Sequence, residues 1–260
     1  MLNYAAIVIV GLLLGVLGGG GSTLILPVLV YLVGLPAVQA TSGSLLIVGV
    51  AAAFGAVGYF RKGLVDLSAV VMFGGPSIAG VFVARLIVMP QIPPVLYSGE
   101  SFELTRRGFI LATFSVMVLA SAFCMIRRGG GPSTEQSSQR TAWKSVAAGL
   151  FVGMSTGLVG AGGGFMIVPA LIIFLKMETR RAIATSLFVI AMKSLLGFAA
   201  DAFIVSDLNW PQLTGFTLAA VVGILTGVRL NAVVDADRLK VAFGWLVLVI
   251  GISILVKEFS

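Results

Sequence analysis

Histidine is absent from this chain, and cysteine occurs once, at Cys124. The first absence removes the commonest metal ligand, the usual general base and the usual proton shuttle. The second excludes an intramolecular disulfide and any cysteine-based metal cluster. Charge is scarce as well: 10% of the 260 residues are charged, against about 25% in a soluble domain. The few acidic residues lie mainly between apolar runs, so no acid–base pair for catalysis is visible and no cofactor is expected.

What the chain has instead is apolar surface. Hydrophobic residues make up 58% of it, too much to bury in one water-facing globule, and lipid is the natural solvent. The formal net charge is +7, but the basic residues sit mostly in short connections between apolar runs. Anionic headgroups account for that placement without a nucleic-acid partner. The opening Met1-Leu2-Asn3-Tyr4 lacks a basic leader region and a clear cleavage site, so the first run is read as part of the mature protein. Trp143, Trp210 and Trp245 near run ends fit interfacial belts.

Eight apolar runs stand out, at roughly 4–33, 38–60, 65–89, 107–126, 145–175, 182–204, 211–234 and 239–257. A crossing needs about 20 residues. Most runs fit, but the first and fifth are longer and are interrupted by glycines. The polar stretch 127–144 divides the chain into a first unit over 1–126 and a second over 145–260.

The two units are read as repeats. Gly15 to Pro27 aligns without a gap on Gly157 to Pro169 at an offset of 142. After a two-residue insertion, Ala40-Thr41-Ser42 falls on Ala184-Thr185-Ser186, and the offset of 144 then holds to Arg85-Leu86 over Arg229-Leu230. The first copy carries an extra polar loop near Tyr97–Glu103. Duplication within a membrane chain is the usual trace of a secondary transporter.

The orientation of the copies turns on the glycine breaks. If all eight runs cross once, the copies are parallel and Lys and Arg outside the spans divide 7 to 9 between the two sides. If the broken runs dip in and return, each copy crosses three times and the second is inverted. Twelve basic residues, among them Arg61, Arg127, Lys144, Arg180 and Arg229, then share one side, and Arg85, Arg106, Arg107 and Lys257 the other. The positive-inside rule favours the inverted arrangement. The expected fold is therefore an all-α polytopic membrane protein of two four-segment repeats, inverted, with glycine-broken or re-entrant first helices.

A glycine run lets the backbone turn tightly, and the helix restarting after it offers unpaired N–H groups and the positive end of its dipole to an anion. Two such starts facing one another would form a site from Gly20, Gly21, Ser22 and Thr23 against Gly162, Gly163 and Gly164. The competing reading is close helix packing through small residues. Thr41-Ser42 and Thr185-Ser186 open the second helix of each copy, as caps or back-bonds or as donors to substrate. Lys193 lies deep in an apolar run, with its repeat counterpart Gly49 uncharged. Burying an ammonium there costs at least about 2.5–3.5 kcal/mol, so an anionic ligand is the expected partner. The structural alternatives are Asp201, two helical turns on, or a carbonyl. Asp201 itself reads as a boundary residue in water, and Arg85 and Arg229 as anchors of helix ends.

The duplicated unit resembles the sulfite exporter TauE/SafE family of membrane transporters. The resemblance rests on Gly18–Gly21 with Pro27 and Ala40–Ser42, then Gly160–Gly164 with Pro169 and Ala184–Ser186, and spans nearly the whole chain. It implies transport of sulfite, organosulfonates or related sulfur-containing or carboxylate anions. The first copy departs from the fuller motif, with Ser22-Thr23 where the second has Gly164-Phe165.

The leading expectation is a secondary transporter of a small anion in a plasma membrane of the bacterial inner-membrane type, working by alternating access. An anion channel is the alternative, and a membrane enzyme or assembly factor fits worst. The expected partners are the anion and the bilayer. Self-association and coupling to proton or sodium stay open.

Overall fold

The computed structural model describes residues 2–19, 21–98, 103–127, 142–159, 163–202, 208–231 and scattered positions within 241–256. The helices in order are α1 Leu2–Leu17, α2 Ser22–Leu32, α3 Ala37–Arg61, α4 Leu67–Gln91, α5 Arg106–Arg127, α6 Ala142–Val159, α7 Gly164–Phe174, α8 Thr179–Ala202 and α9 Trp210–Leu230. Four of them, α3, α4, α8 and α9, are long and apolar enough to cross a membrane, while α1, α2 and α6 are shorter apolar helices. The chain is an α-helical multi-pass membrane protein. Most of the polar stretch 127–144 and about half of the last apolar run lie outside the described residues.

Local chemistry sets the helix boundaries. Pro36 holds an extended φ/ψ just before α3, where its missing N–H costs the helix no hydrogen bond. Asp66 caps α4 by accepting from the Ala69 N–H at 3.0 Å, and Asn209 caps α9 by accepting from the Gln212 N–H at 3.2 Å. Pro27 sits inside α2, and the turn after it widens over Val28–Leu32 to an i→i+5 pattern. The extra polar loop of the first unit forms an antiparallel ribbon, with β1 (Val95–Ser98) against β2 (Glu103–Thr105).

The closest approaches between long helices join the two units. Tyr4 of α1 stacks edge-on against Phe216 of α9 with ring centroids 5.0 Å apart. Further along, Gly11 lies on Ala220 and Gly15 on Ile224, so closely that a Cβ would fall 2.4 and 2.5 Å from the carbonyl oxygens. Residue numbers rise together, so α1 and α9 run the same way. In the same manner α6 runs beside α4, with Gly149 on Phe73, Gly153 on Ser77 and Gly157 on Val81. Small residues at these crossings let backbones touch, the usual driving geometry for helix association in lipid. In contrast, α3 and α8 run oppositely: Ser42 meets Asp201, Gly49 meets Leu195, and Phe60 meets Phe188.

These contacts decide what the glycine-broken runs do. α1 starts beside the start of α9, and α3 starts beside the end of α8, which is the same end of the bundle. The chain between α1 and α3 has therefore gone in and come back, and Gly21 lies against Val10 and Leu14 of α1. The second broken run behaves likewise. α6 starts beside the start of α4, while Thr185 near the start of α8 accepts from the Asp66 N–H just after α3. Gly163 then lies against Thr156 of α6. Both breaks are turns back, and they meet in the interior of the bundle.

Candidate functional site

The two breaks touch each other. A Cβ on Gly19 would fall 2.1 Å from the Gly164 Cα, and one on Gly164 2.0 Å from the Gly19 Cα. Ser22, fully buried, spans the junction: its hydroxyl donates to the Gly19 carbonyl at 2.7 Å and accepts from the Gly164 N–H at 3.2 Å. The backbone turns through the left-handed region at Gly18 (φ +73°) and Gly163 (φ +65°), where a side chain would be strained. Gly20 and Gly162 lie outside the described residues.

The helix starts differ from the bare N–H clusters expected of them. Ser22 N–H bonds to Gly19 O and Leu24 N–H to Gly21 O in the first break. Met166 and Ile167 N–H both bond to Gly163 O in the second, and Gly164 N–H goes to Ser22. Buried main-chain donors seldom remain unpaired, and here tight local turns take most of them. Among their described residues the breaks thus supply close approach rather than a ring of free donors.

Charge comes from Lys193. It is 1% exposed, and its ammonium donates to the Thr156 hydroxyl at 2.7 Å. A Cβ on Gly163 would sit 2.7 Å from Nζ, so the absence of a side chain there lets the ammonium reach the break. Among the described residues no carboxylate pairs with Lys193. Asp201 has another partner, as does Thr23, which is buried beside Ser22.

Thr41 and Ser42 stand apart from this group. α3 begins at Ala37, so they lie one turn inside the helix and do not cap it. Thr41 back-bonds to Val38 O at 2.8 Å. It also accepts from Arg85 Nη1 at 3.3 Å, while Ser42 donates to the Asp201 carboxylate. Arg85 completes the cluster with an ion pair to Asp201 at 2.8 Å, side chains 1% and 5% exposed. Asp201 is thus buried and paired, against the expectation of a solvated boundary residue, because α3 and α4 cover the last turn of α8. Arg85 is buried too, whereas Arg229, which aligns with it at an offset of 144, is exposed. In the second unit Thr185 holds the Asp66 N–H, and Ser186 back-bonds to Ile183 O at 2.8 Å. Ile183 in turn packs on Gly18.

Thr156 went unrecognised in the sequence, although a signal existed. At offset 142 it aligns with Leu14, a polar residue where the other copy is apolar. Asp201 gives the same signal against Val57 at offset 144.

Similarity to known proteins points the same way. The family model for the sulfite exporter TauE/SafE matches residues 4–254. A "Probable membrane transporter protein" of Xylella fastidiosa (strain Temecula1 / ATCC 700964) is 29% identical over 97% of this chain and 93% of its own length. The "Probable membrane transporter protein YunE" of Bacillus subtilis (strain 168) is 26% identical over 90% of this chain and 89% of its own. No solved structure matches the chain. With a helical bundle of several membrane-length spans and a family match along nearly its whole length, the chain belongs to the sulfite exporter TauE/SafE family of membrane transporters.

Proposed function

We propose that this chain is a secondary transporter of the plasma membrane that moves a small anion, of the sulfite or organosulfonate class, by alternating access between two inverted repeats. The observation that carries the reading is Lys193: a cation buried at the meeting point of the two glycine breaks, with a neutral hydroxyl as its partner. A buried ammonium of this kind favours an anionic ligand. Thr156 and the break residues from Gly21 to Thr23 and Gly163 to Gly164 border the same place. The family name points to sulfur oxyanions as the substrate class.

The inverted arrangement draws support from the opposed run of α3 and α8, which carry the matching Ala-Thr-Ser segments, and from the two breaks turning back. Each unit's first helix packs on the third apolar run of the other, α1 on α9 and α6 on α4, which is how repeats related by an in-plane axis interlock and rock. Labelling of single cysteines at positions 144 and 180, on a Cys124→Ser background, is expected from one face of the membrane, with position 106 labelled from the other. Labelling of 144 and 180 from opposite faces would sink the inverted model.

The transport reading is tested by flux into proteoliposomes containing the full chain. Radiolabelled sulfite or methanesulfonate should enter with saturable kinetics. A non-saturating anion conductance would mark a channel instead, and absence of flux for every sulfur oxyanion would reject the substrate class.

A further inference from the structure

Five buried side-chain nitrogen and oxygen atoms among the described residues lack a hydrogen-bond partner, and four of them belong to α4 and α8: Ser77 Oγ, Ser194 Oγ, Arg85 Nε and Arg85 Nη2. Unpartnered polar atoms are rare in protein interiors, and each calls for a reason. These two helices run side by side in one register, with Gly74 on Val189, Val81 on Gly197 and Arg85 on Asp201. In that register Ser77 falls level with Lys193 and Ser194. Polar groups thus occur at two levels, one at Lys193 and one at Arg85, separated by the Val81–Gly197 contact. Eight residues of helix separate Lys193 from Asp201, about 12 Å at 1.5 Å per residue.

The guanidinium of Arg85 is used on one side only. Nη1 is committed to Asp201 at 2.8 Å and to Thr41 at 3.3 Å. Nε and Nη2 carry the two donors of the opposite edge, the spacing that meets two oxygens of one carboxylate, sulfonate or sulfite. Asp201, held in turn by Ser42, fixes the plane of the guanidinium and offsets its charge. An anion arriving at the free edge gains two directed hydrogen bonds without being held by a full uncompensated charge. That suits a stop on a path more than a final resting place.

We infer that the Nε–Nη2 edge of Arg85 is a second oxyanion-binding subsite, displaced from Lys193 toward the end of the bundle where α8 finishes. The subsite rests on the anion-transport reading, and binding tests it apart from flux. Thermal stabilisation of the detergent-purified full chain is titrated with sulfite, methanesulfonate and acetate, against chloride at equal ionic strength. In a Lys193→Met background, stabilisation specific to the oxyanions should persist. Adding Arg85→Lys, which retains the charge and the reach to Asp201 but lacks the forked edge, should raise the apparent Kd at least tenfold. The double replacement Arg85→Gln with Asp201→Asn removes the fork while keeping a neutral hydrogen-bonded pair. Made in the same background, it should behave like Arg85→Lys, which covers the case in which Arg85→Lys alone does not fold. Oxyanion stabilisation missing from Lys193→Met, or unchanged when the fork is removed, overturns the subsite. Wild-type protein that binds oxyanions through Arg85 yet shows no flux would sink the transport reading and leave the subsite standing.

Discussion

Lys193→Met is expected to cut sulfite or methanesulfonate flux by at least about 30-fold while leaving the folded protein as stable as the wild type or more so. The two halves of this result have separate causes. An anion bound at Lys193 loses a charge-assisted partner, and truncating one side of such a buried pair costs about 2 kcal/mol or more, with a factor of ten for each 1.4 kcal/mol. The unliganded protein, however, holds this ammonium 1% exposed against a neutral hydroxyl. Methionine has nearly the same length and no charge to desolvate, so the fold is relieved of an unfavourable burial. A lysine retained for structure would give the reverse: its loss would lower the thermal midpoint and leave flux in the surviving protein untouched. Initial flux rates and thermal midpoints, measured on the same preparations, separate the two. Wild-type flux in Lys193→Met removes Lys193 from the site. Thr156→Val should reduce flux less, about tenfold, since it takes away one hydrogen bond to a charged group and leaves the charge in place.

The burial of Lys193 was legible in the sequence because no acidic residue lies one helical turn from it and both flanks are apolar, and insertion energetics need no tertiary information. The glycine breaks were legible for a similar reason: a run of glycines is costly within a helix wherever it occurs, and its duplication marked it as deliberate. What the breaks do with their N–H groups was not legible. That depends on whether local turns close on Gly19, Gly21 and Gly163, and they do. Asp201 was misread because a carboxylate at the end of an apolar run normally reaches water. Here α3, running opposite to α8, brings Ser42 over it, and α4 brings Arg85. Those partners are more than a hundred residues away in the chain, and no periodicity within one helix reveals them. The polar ribbon at 95–105 was legible only as a departure between copies. The crossed pairing of α1 with α9 and α6 with α4 left traces in Gly11, Gly15, Gly153, Gly157, Gly223 and Gly227, but small residues say that a backbone comes close without saying whose.

The tightest of those approaches yields the second large effect. Gly19→Ala and Gly164→Ala are each expected to destabilise the protein beyond the ~1–3 kcal/mol that overpacking a core usually costs, and to abolish flux. In ordinary overpacking a neighbouring side chain rotates away. Here the added methyl would meet main-chain atoms of the opposite break at 2.1 and 2.0 Å, and backbone fixed by two turns has no rotamer to change. Relief requires the breaks to separate, which also breaks the Ser22 bridge and draws Gly163 away from Lys193. Gly58→Ala is the matched control. It lies within α3 and its Cβ would meet Val228 at 3.4 Å, an ordinary contact, so the gain in helix propensity should leave its midpoint at or above the wild-type value. Ser22→Ala tests the bridge alone and should cost about 1–3 kcal/mol, because it deletes the hydroxyl's two hydrogen bonds and removes the Gly164 N–H's partner while leaving the glycines in contact. The measurements are thermal midpoint, recovery of monodisperse protein and flux. If Gly19→Ala and Gly164→Ala both match Gly58→Ala in all three, the breaks do not touch in the working protein. A site shared between them would then have to be abandoned, whatever Lys193→Met shows.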